Sequence, residues 1–247
     1  MAATPIFDKE IVKLRRILGD IYTTDDVLIT TSNVGSSADI GIEYKRDELV
    51  DIYNQSIREL LAYLVNIFPN NLWHIFFPRI IPGYIAIGND FVIAGSAPNQ
   101  LIQLSSDVYA VISVILTDAN SITTKPIFIS PDEMDLCIST DVTTRKPSAR
   151  TTYYTLIGNT IKLYTQSTIS SSKVTYVKDH VTDITHSGAS DLSGLTSDGL
   201  SRVRTIAEML ARRSKAVDSN EAGSFFSLYN GMIERDIAMM KQYLKLL

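Results

Sequence analysis

The sequence predicts an α+β protein in which a helical bundle, made from the N- and C-terminal segments, frames a central antiparallel β domain. Apolar residues recur at helical spacing over about residues 5–70 and again over about 190–247; that period marks a helix with one buried face. Between them, short β-branched and aromatic runs are separated by Gly, Asn, Ser and Pro, the chemistry of strands and turns. A chain of 247 residues suits one large domain or two small ones. The expected division is 1–71 with 188–247 for the bundle, and 72–187 for the β domain.

In the first zone Phe7, Ile11, Leu14 and Leu18 share a helix face, with Lys9, Lys13, Arg15 and Arg16 mainly off it. Thr4-Pro5 suits the start and Gly19 the stop. Residues 30–38 are polar and read as a loop. The longest helix runs from about Arg46 to Phe68 on a stripe of Leu49, Tyr53, Ile57, Leu60, Leu61, Leu64 and Phe68. Pro69 ends it, because the residue before a proline is pushed out of the helical region.

In the middle zone, Tyr84–Ile87 and Phe91–Ile93 flank Gly88-Asn89-Asp90 and read as a hairpin. Val108–Leu116 is apolar at both parities, as in a strand buried on both faces. Ser130-Pro131-Asp132-Glu133 is a helix start, with Ser130 as cap. Residues 143–150 read as a loop. The sharpest signal is Thr152–Ile157, Gly158-Asn159, Thr160–Tyr164. A two-residue turn pairs Leu156 with Ile161 and Tyr154 with Leu163, leaving Tyr153, Thr155, Lys162 and Tyr164 on a wetter face. Lys173–Val177 is a further strand.

The last zone opens with a loop at 191–198. Leu200, Val203, Ala207, Leu210 and Ala211 then mark a helix to about Arg213, with a break at 215–220. The final helix carries Phe225, Leu228, Tyr229, Met232, Ile233, Met240, Tyr243, Leu244 and Leu247 near one stripe. An isolated amphipathic helix is marginal in water, so this stripe needs a partner: another helix, the sheet or a neighbouring subunit.

Composition narrows function. The formal charge is −4, from 23 Lys and Arg against 27 Asp and Glu. A dedicated duplex-binding domain is usually basic, so tight DNA binding is not expected, although DNA passing by is compatible. No apolar run approaches the roughly 18 residues of a membrane span, and the first residues show no secretory signal. Cys137, the single cysteine, permits no intrachain disulfide and reads as a small core residue. Rossmann, phosphate-loop and Gly-x-Ser-x-Gly signatures are absent. Asp179, His180, Asp183 and His186 match no zinc spacing and read as a solvated loop. His74, beside Trp73 and Phe76, reads as a packed or interface residue. No catalytic, cofactor-binding or metal residue is assigned, and the chain is not expected to be an enzyme.

The basic clusters Lys13-Leu14-Arg15-Arg16, Arg145-Lys146 with Arg150, and Arg212-Arg213 with Lys215 read as solvated faces, the alternative being phosphate or acidic-partner contacts. Tyr153, Tyr154, Tyr164 and Tyr176 suit strand packing. With Trp73 they also motivate an alternative role as a glycan- or receptor-binding virion module.

The run from Asp47 to Leu64 resembles the early helix of tailed-bacteriophage adaptor and gatekeeper proteins, which form the head-to-tail connector. Tyr153–Tyr164 is similar to their hairpin, patterned aromatic, apolar, Gly-Asn, apolar, aromatic, and Val174–Val177 and the closing helical pair also look similar. The resemblance implies a structural subunit of a homo-oligomeric ring, a dodecamer like the portal. Such a ring lies beneath the portal protein, meets tail proteins and conducts DNA through its lumen. It implies a place in the virion neck, no cofactor, no membrane and no catalytic residue.

Overall fold

The computed structural model describes residues 6–20, 44–89, 91–138, 146–148, 150–180, 192–215 and 219–244. The protein is α+β. In chain order its elements are α1 (Ile6–Leu18), α2 (Arg46–Ile67), α3 (Trp73–Ile80), β1 (Ile85–Gly88), β2 (Val92–Ser96), β3 (Asn99–Gln103), β4 (Val108–Asp118), β5 (Thr123–Thr124), β6 (Ile127–Phe128), α4 (Pro131–Ile138), β7 (Tyr153–Ile157), β8 (Thr160–Tyr164), β9 (Ile169–Lys178), α5 (Ser197–Lys215) and α6 (Ser219–Leu244). They form two compact units, 1–84 with 180–247, and 85–179.

The helical unit is organised on α5, which packs against α1, α2, α3 and α6. The stripe expected on α2 is buried from Leu49 to Phe68. Phe68 leaves the helix in an extended conformation immediately before Pro69, as the proline requires. α3 lies where strands were expected. Its buried residues Trp73, Phe76, Phe77 and Ile80 follow i, i+3, i+4, i+7 spacing, the mark of an amphipathic helix. The unit therefore begins its crossing to the β unit at 84/85, not at 71/72. Residues 30–38 lie outside the described residues.

The β unit is two sheets. One has the order β1-β9-β4-β5, the other β2-β3-β8-β7-β6. Their facing sides share one core, with Val114, Leu116, Val174 and Tyr176 from the first and Ile102, Leu104, Ile161 and Leu163 from the second. The β7–β8 hairpin has the expected register, with Leu156 opposite Ile161 and Tyr154 opposite Leu163. All named pairings are antiparallel except β6–β7, which is parallel.

Three strand expectations are corrected. β1 and β2 do not form a hairpin: β1 pairs with β9 and β2 with β3, in different sheets. The reason is Phe91, which packs edge-on against Tyr176, ring centroids 5.9 Å apart, in the core between the sheets. A Cβ on Gly88 would overlap the Phe91 ring, so glycine serves the crossing by letting that ring approach. β4 is not buried on both faces; Ile115 is exposed while its neighbours Val114 and Leu116 are buried. Finally, the face of the β7–β8 hairpin expected to be wet is partly roofed. α4 packs over it, and Ile129 and Met134 cover Tyr153 and Tyr164. Thr155 is fully buried there. α4 starts as expected: Glu133 N donates to Ser130 Oγ at 3.2 Å and Ser130 N donates back to Glu133 Oε2 at 3.3 Å, the reciprocal capping box.

Candidate functional site: the surface of the β unit

A few charged residues of the helical unit are buried: Glu10, Arg15, Asp20, Arg202 and Asp236. Arg15, in the first basic cluster, is fully buried, donating to Asp20 and to the Tyr44 carbonyl. Arg202 is fully buried on α5 and pairs with Asp236 on α6 and with Asp198 at 3.0 Å. Tyr63, on α2, donates to the same Asp236 oxygen at 2.7 Å. One carboxylate thus ties three helices together. Burial opposes the Arg202 charge, but its bonds to Asp236 and Asp198 outweigh that and hold its pKa above the ordinary value. Burial, then the hydrogen bond to Asp236, pushes the Tyr63 hydroxyl up.

Other basic side chains of the helical unit are also paired. Arg204 grips Glu10 through Nε and Nη2 at 2.8 and 2.6 Å, and Lys13 reaches the other Glu10 oxygen at 2.7 Å. Arg212 pairs with Glu208 at 3.0 Å and donates to the Ile17 carbonyl; Lys215 lies 3.1 Å from Glu48. The reading of these clusters as solvated faces therefore fails for Arg15, holds for Lys13, Arg16, Lys146, Arg150, Arg213 and Lys215, which are exposed, and holds in part for Arg212. Arg145 lies outside the described residues.

His180 is likewise not on a solvated loop. It is buried, with Nδ1 3.0 Å from the Tyr84 hydroxyl and Nε2 3.1 Å from Asn54 Oδ1. Burial pushes the Tyr84 hydroxyl up to about 12. Asp183 and His186 lie outside the described residues, as does the side chain of Cys137. Among the described residues no three His, Cys, Asp or Glu side chains are grouped to hold a metal ion. His74 is exposed on α3. Trp73 is buried, and its indole donates to the Phe68 carbonyl at 2.7 Å.

The β unit has the opposite surface. Among the described residues eleven large hydrophobic side chains are exposed, and nine of them belong to this unit: Ile87, Val92, Leu101, Tyr109, Ile115, Ile122, Ile127, Phe128 and Ile157. Scattered exposed apolar residues are ordinary, and by register four of these, Val92, Leu101, Ile127 and Ile157, share one side of one sheet. On the outer side of the five-stranded sheet, Val92 is level with Gln103, Thr160 and Ile157 across the strands, and Leu101 is level with Ala94 and Lys162. α4 roofs the other half of this side, and Lys162 lies 3.8 Å from Asp135 at its margin. Val92, at 69% exposure, is the most open of the nine.

Sequence reasoning assigned no residue to this surface. Alternation identified which residues share a face, but it does not say which face another element roofs. Tyr154 and Tyr176 on the inner faces have hydroxyls raised by burial, and Tyr153 and Tyr164 sit beneath α4. No described helix is long and apolar enough to cross a membrane. No protein-family model matches the chain, and no curated protein is similar enough in sequence to count as a relative.

Proposed function

We propose that this chain is the structural subunit of a homo-oligomeric ring in the head-to-tail connector of a tailed bacteriophage, joining portal to tail around the DNA channel. The observation that carries the reading is the concentration of exposed apolar side chains on the β unit, nine of eleven among the described residues. A subunit enclosed by neighbours buries apolar side chains that the single chain leaves exposed. On α6, Met232 and Asp236 are buried, Tyr229, Ile233, Met240 and Tyr243 are partly buried, and Leu244 is exposed. The inward pairing of Arg15, Arg202 and Arg204 suits a ring that lets DNA pass without gripping it.

The features that motivated a glycan-binding role, Trp73 and the strand tyrosines, are engaged in packing, and none of them favours that role. The test is native mass spectrometry and electron microscopy of the purified chain, alone and mixed with a portal protein from the same source. The expected result is a closed ring seated on the portal. A chain that stays monomeric and binds neither portal nor tail proteins overturns the proposal.

A further inference from the structure

The outer side of the five-stranded sheet is covered at one corner only. Of the described strand residues that register places on this side, Thr155 alone is buried. Its cover is α4. Ile129 and Met134 pack on Tyr153 and Tyr164, and Asp135 lies 3.8 Å from Lys162, the cross-strand partner of Thr155. Around this corner the sheet stays open at Leu101, Ile127 and Ile157.

The cover is small and closes against resistance. α4 spans eight residues, and an isolated helix of that length is marginal in water, so it keeps its shape only while docked. Among its described side chains Met134 alone is buried. Docking also strips water from the Thr155 hydroxyl and gives it no partner. The gain from burying a methionine side chain and the loss from stranding one hydroxyl are of the same order. The reciprocal bonds of Ser130 and Glu133 are internal to the start of the helix and do not tie it to the sheet. The last tie before the helix is Ile129, whose N–H donates to the Tyr154 carbonyl at 2.9 Å. The hairpin beneath is held far more firmly, since β8 is paired along its length with β3 on one side and β7 on the other. An element with few buried apolar contacts opens before the body it lies on.

We infer that α4 is a lid: it lifts from the β7–β8 hairpin about Ser130 while both sheets stay folded, and the Thr155 hydroxyl opposes its closure. Opening hydrates that hydroxyl and bares Tyr153 and Tyr164, on the same side of the sheet as the exposed Leu101, Ile127 and Ile157. The open form thus presents a broader apolar and aromatic side than the closed one. Opening is a property of the single chain and does not depend on a ring.

Amide hydrogen exchange on the full chain, followed by nuclear magnetic resonance, tests it. The Met134 amide donates to the Ser130 carbonyl at 2.9 Å and reports on the lid; the amides of β8 report on the sheets. In the parent, the Met134 amide is expected to exchange at least about a hundredfold faster than those of β8. Low urea is expected to accelerate β8 but not Met134, because lifting the lid exposes little surface. Thr155→Val removes the unpartnered hydroxyl and keeps the shape, so it is expected to slow the Met134 amide about fivefold. Met134→Ala is expected to speed the same amide at least about tenfold. Two results overturn the lid. One is a Met134 amide with the rate and urea dependence of β8, which would mean that α4 opens only when the whole unit unfolds. The other is a Thr155→Val chain in which the Met134 amide is unchanged. If Met134→Ala does not fold, the parent and Thr155→Val decide between these outcomes without it.

Discussion

The helical unit buries a small set of paired charges, whereas the β unit carries most of the large apolar side chains exposed among the described residues. In the helical unit Arg15, Arg202 and Asp236 are buried and paired. In the β unit Val92, Ile127, Phe128 and Ile157 are at least half exposed. A buried ion pair adds little net stability compared with apolar packing, yet it tolerates few alternative arrangements. An exposed apolar side chain contributes little to folding and gains only when something covers it. The contrast separates roles. The helical unit's polar clamps favour one helix arrangement, and in the proposed ring the β unit's surface would serve association. Substitutions in the first are therefore expected to change stability, and substitutions on the second to change assembly.

The largest effect is expected at the clamp. Arg202→Met strands the Asp236 carboxylate in a site where its other oxygen, Oδ1, already lacks a hydrogen-bond partner. Removing one member of a buried pair costs about 3–5 kcal/mol. Chemical denaturation checks this, and Arg202→Met combined with Asp236→Leu is expected to recover most of the loss. If the single variant costs under ~1 kcal/mol, the clamp does not hold the helices. Next comes Gly199→Ala, near the start of α5. A Cβ there would overlap the Ile80 carbonyl oxygen, at the place where Thr196 Oγ1 caps Gly199 N at 3.2 Å and donates to the Arg79 carbonyl at 2.7 Å. Forcing extra volume into such a contact costs about 1–3 kcal/mol, read as a lowered melting temperature.

Alkaline pH probes the same unit. The Tyr53 hydroxyl donates to the Glu10 carbonyl at 3.0 Å, and burial, then the Glu10 charge, raises its pKa. Tyr84 is also raised, to about 12. A raised tyrosine stays protonated in the folded chain while the unfolded chain ionises. Its contribution is thus fully present below pH 10 and falls as pH climbs toward the folded value. Melts are expected to drop steeply above pH 10. Tyr53→Phe is expected to cost about 1 kcal/mol at neutral pH through the lost hydrogen bond and to flatten the alkaline decline.

The sequence was legible where the deciding interactions are local. The α2 stripe, the Pro69 stop, the Ser130–Glu133 capping box and the Gly158-Asn159 hairpin all depend on residues within a few positions of one another. Gly88-Asn89 carries the same local signal as Gly158-Asn159, yet it ends in a sheet-to-sheet crossing because Phe91 turns into the core against Tyr176. That outcome depends on a strand 85 residues away, and no turn chemistry encodes it. The stripe of α3 was present in the sequence at 73, 76, 77 and 80 and was obscured by the β-rich composition around it. The burial of Arg15 and Arg202 was not legible, since Arg202 meets Asp236 only once α5 and α6 have packed. For the candidate surface, strand parity shows that Val92, Leu101 and Ile157 share a side with Thr155. Parity does not show that α4 roofs Thr155 and leaves the others open.

That last difference yields the smallest predicted effects, of opposite kinds on one side of one sheet. Thr155 is fully buried beneath α4, and its hydroxyl has no hydrogen-bond partner. Replacing an unsatisfied buried hydroxyl by a methyl of the same shape removes a desolvation cost, so Thr155→Val is expected to stabilise the chain by about 1 kcal/mol. Ile157, two residues along the same strand, is 53% exposed. Ile157→Thr is therefore expected to change monomer stability by less than about 0.5 kcal/mol. Its effect is expected instead in the concentration dependence of the melting temperature, because burying an apolar side chain between copies stabilises only the associated state. Equal stability changes at 155 and 157 would mean that α4 draws no line across this side of the sheet. A large loss at 157 in dilute protein would place that side chain in the folding core of the β unit rather than on its associating surface.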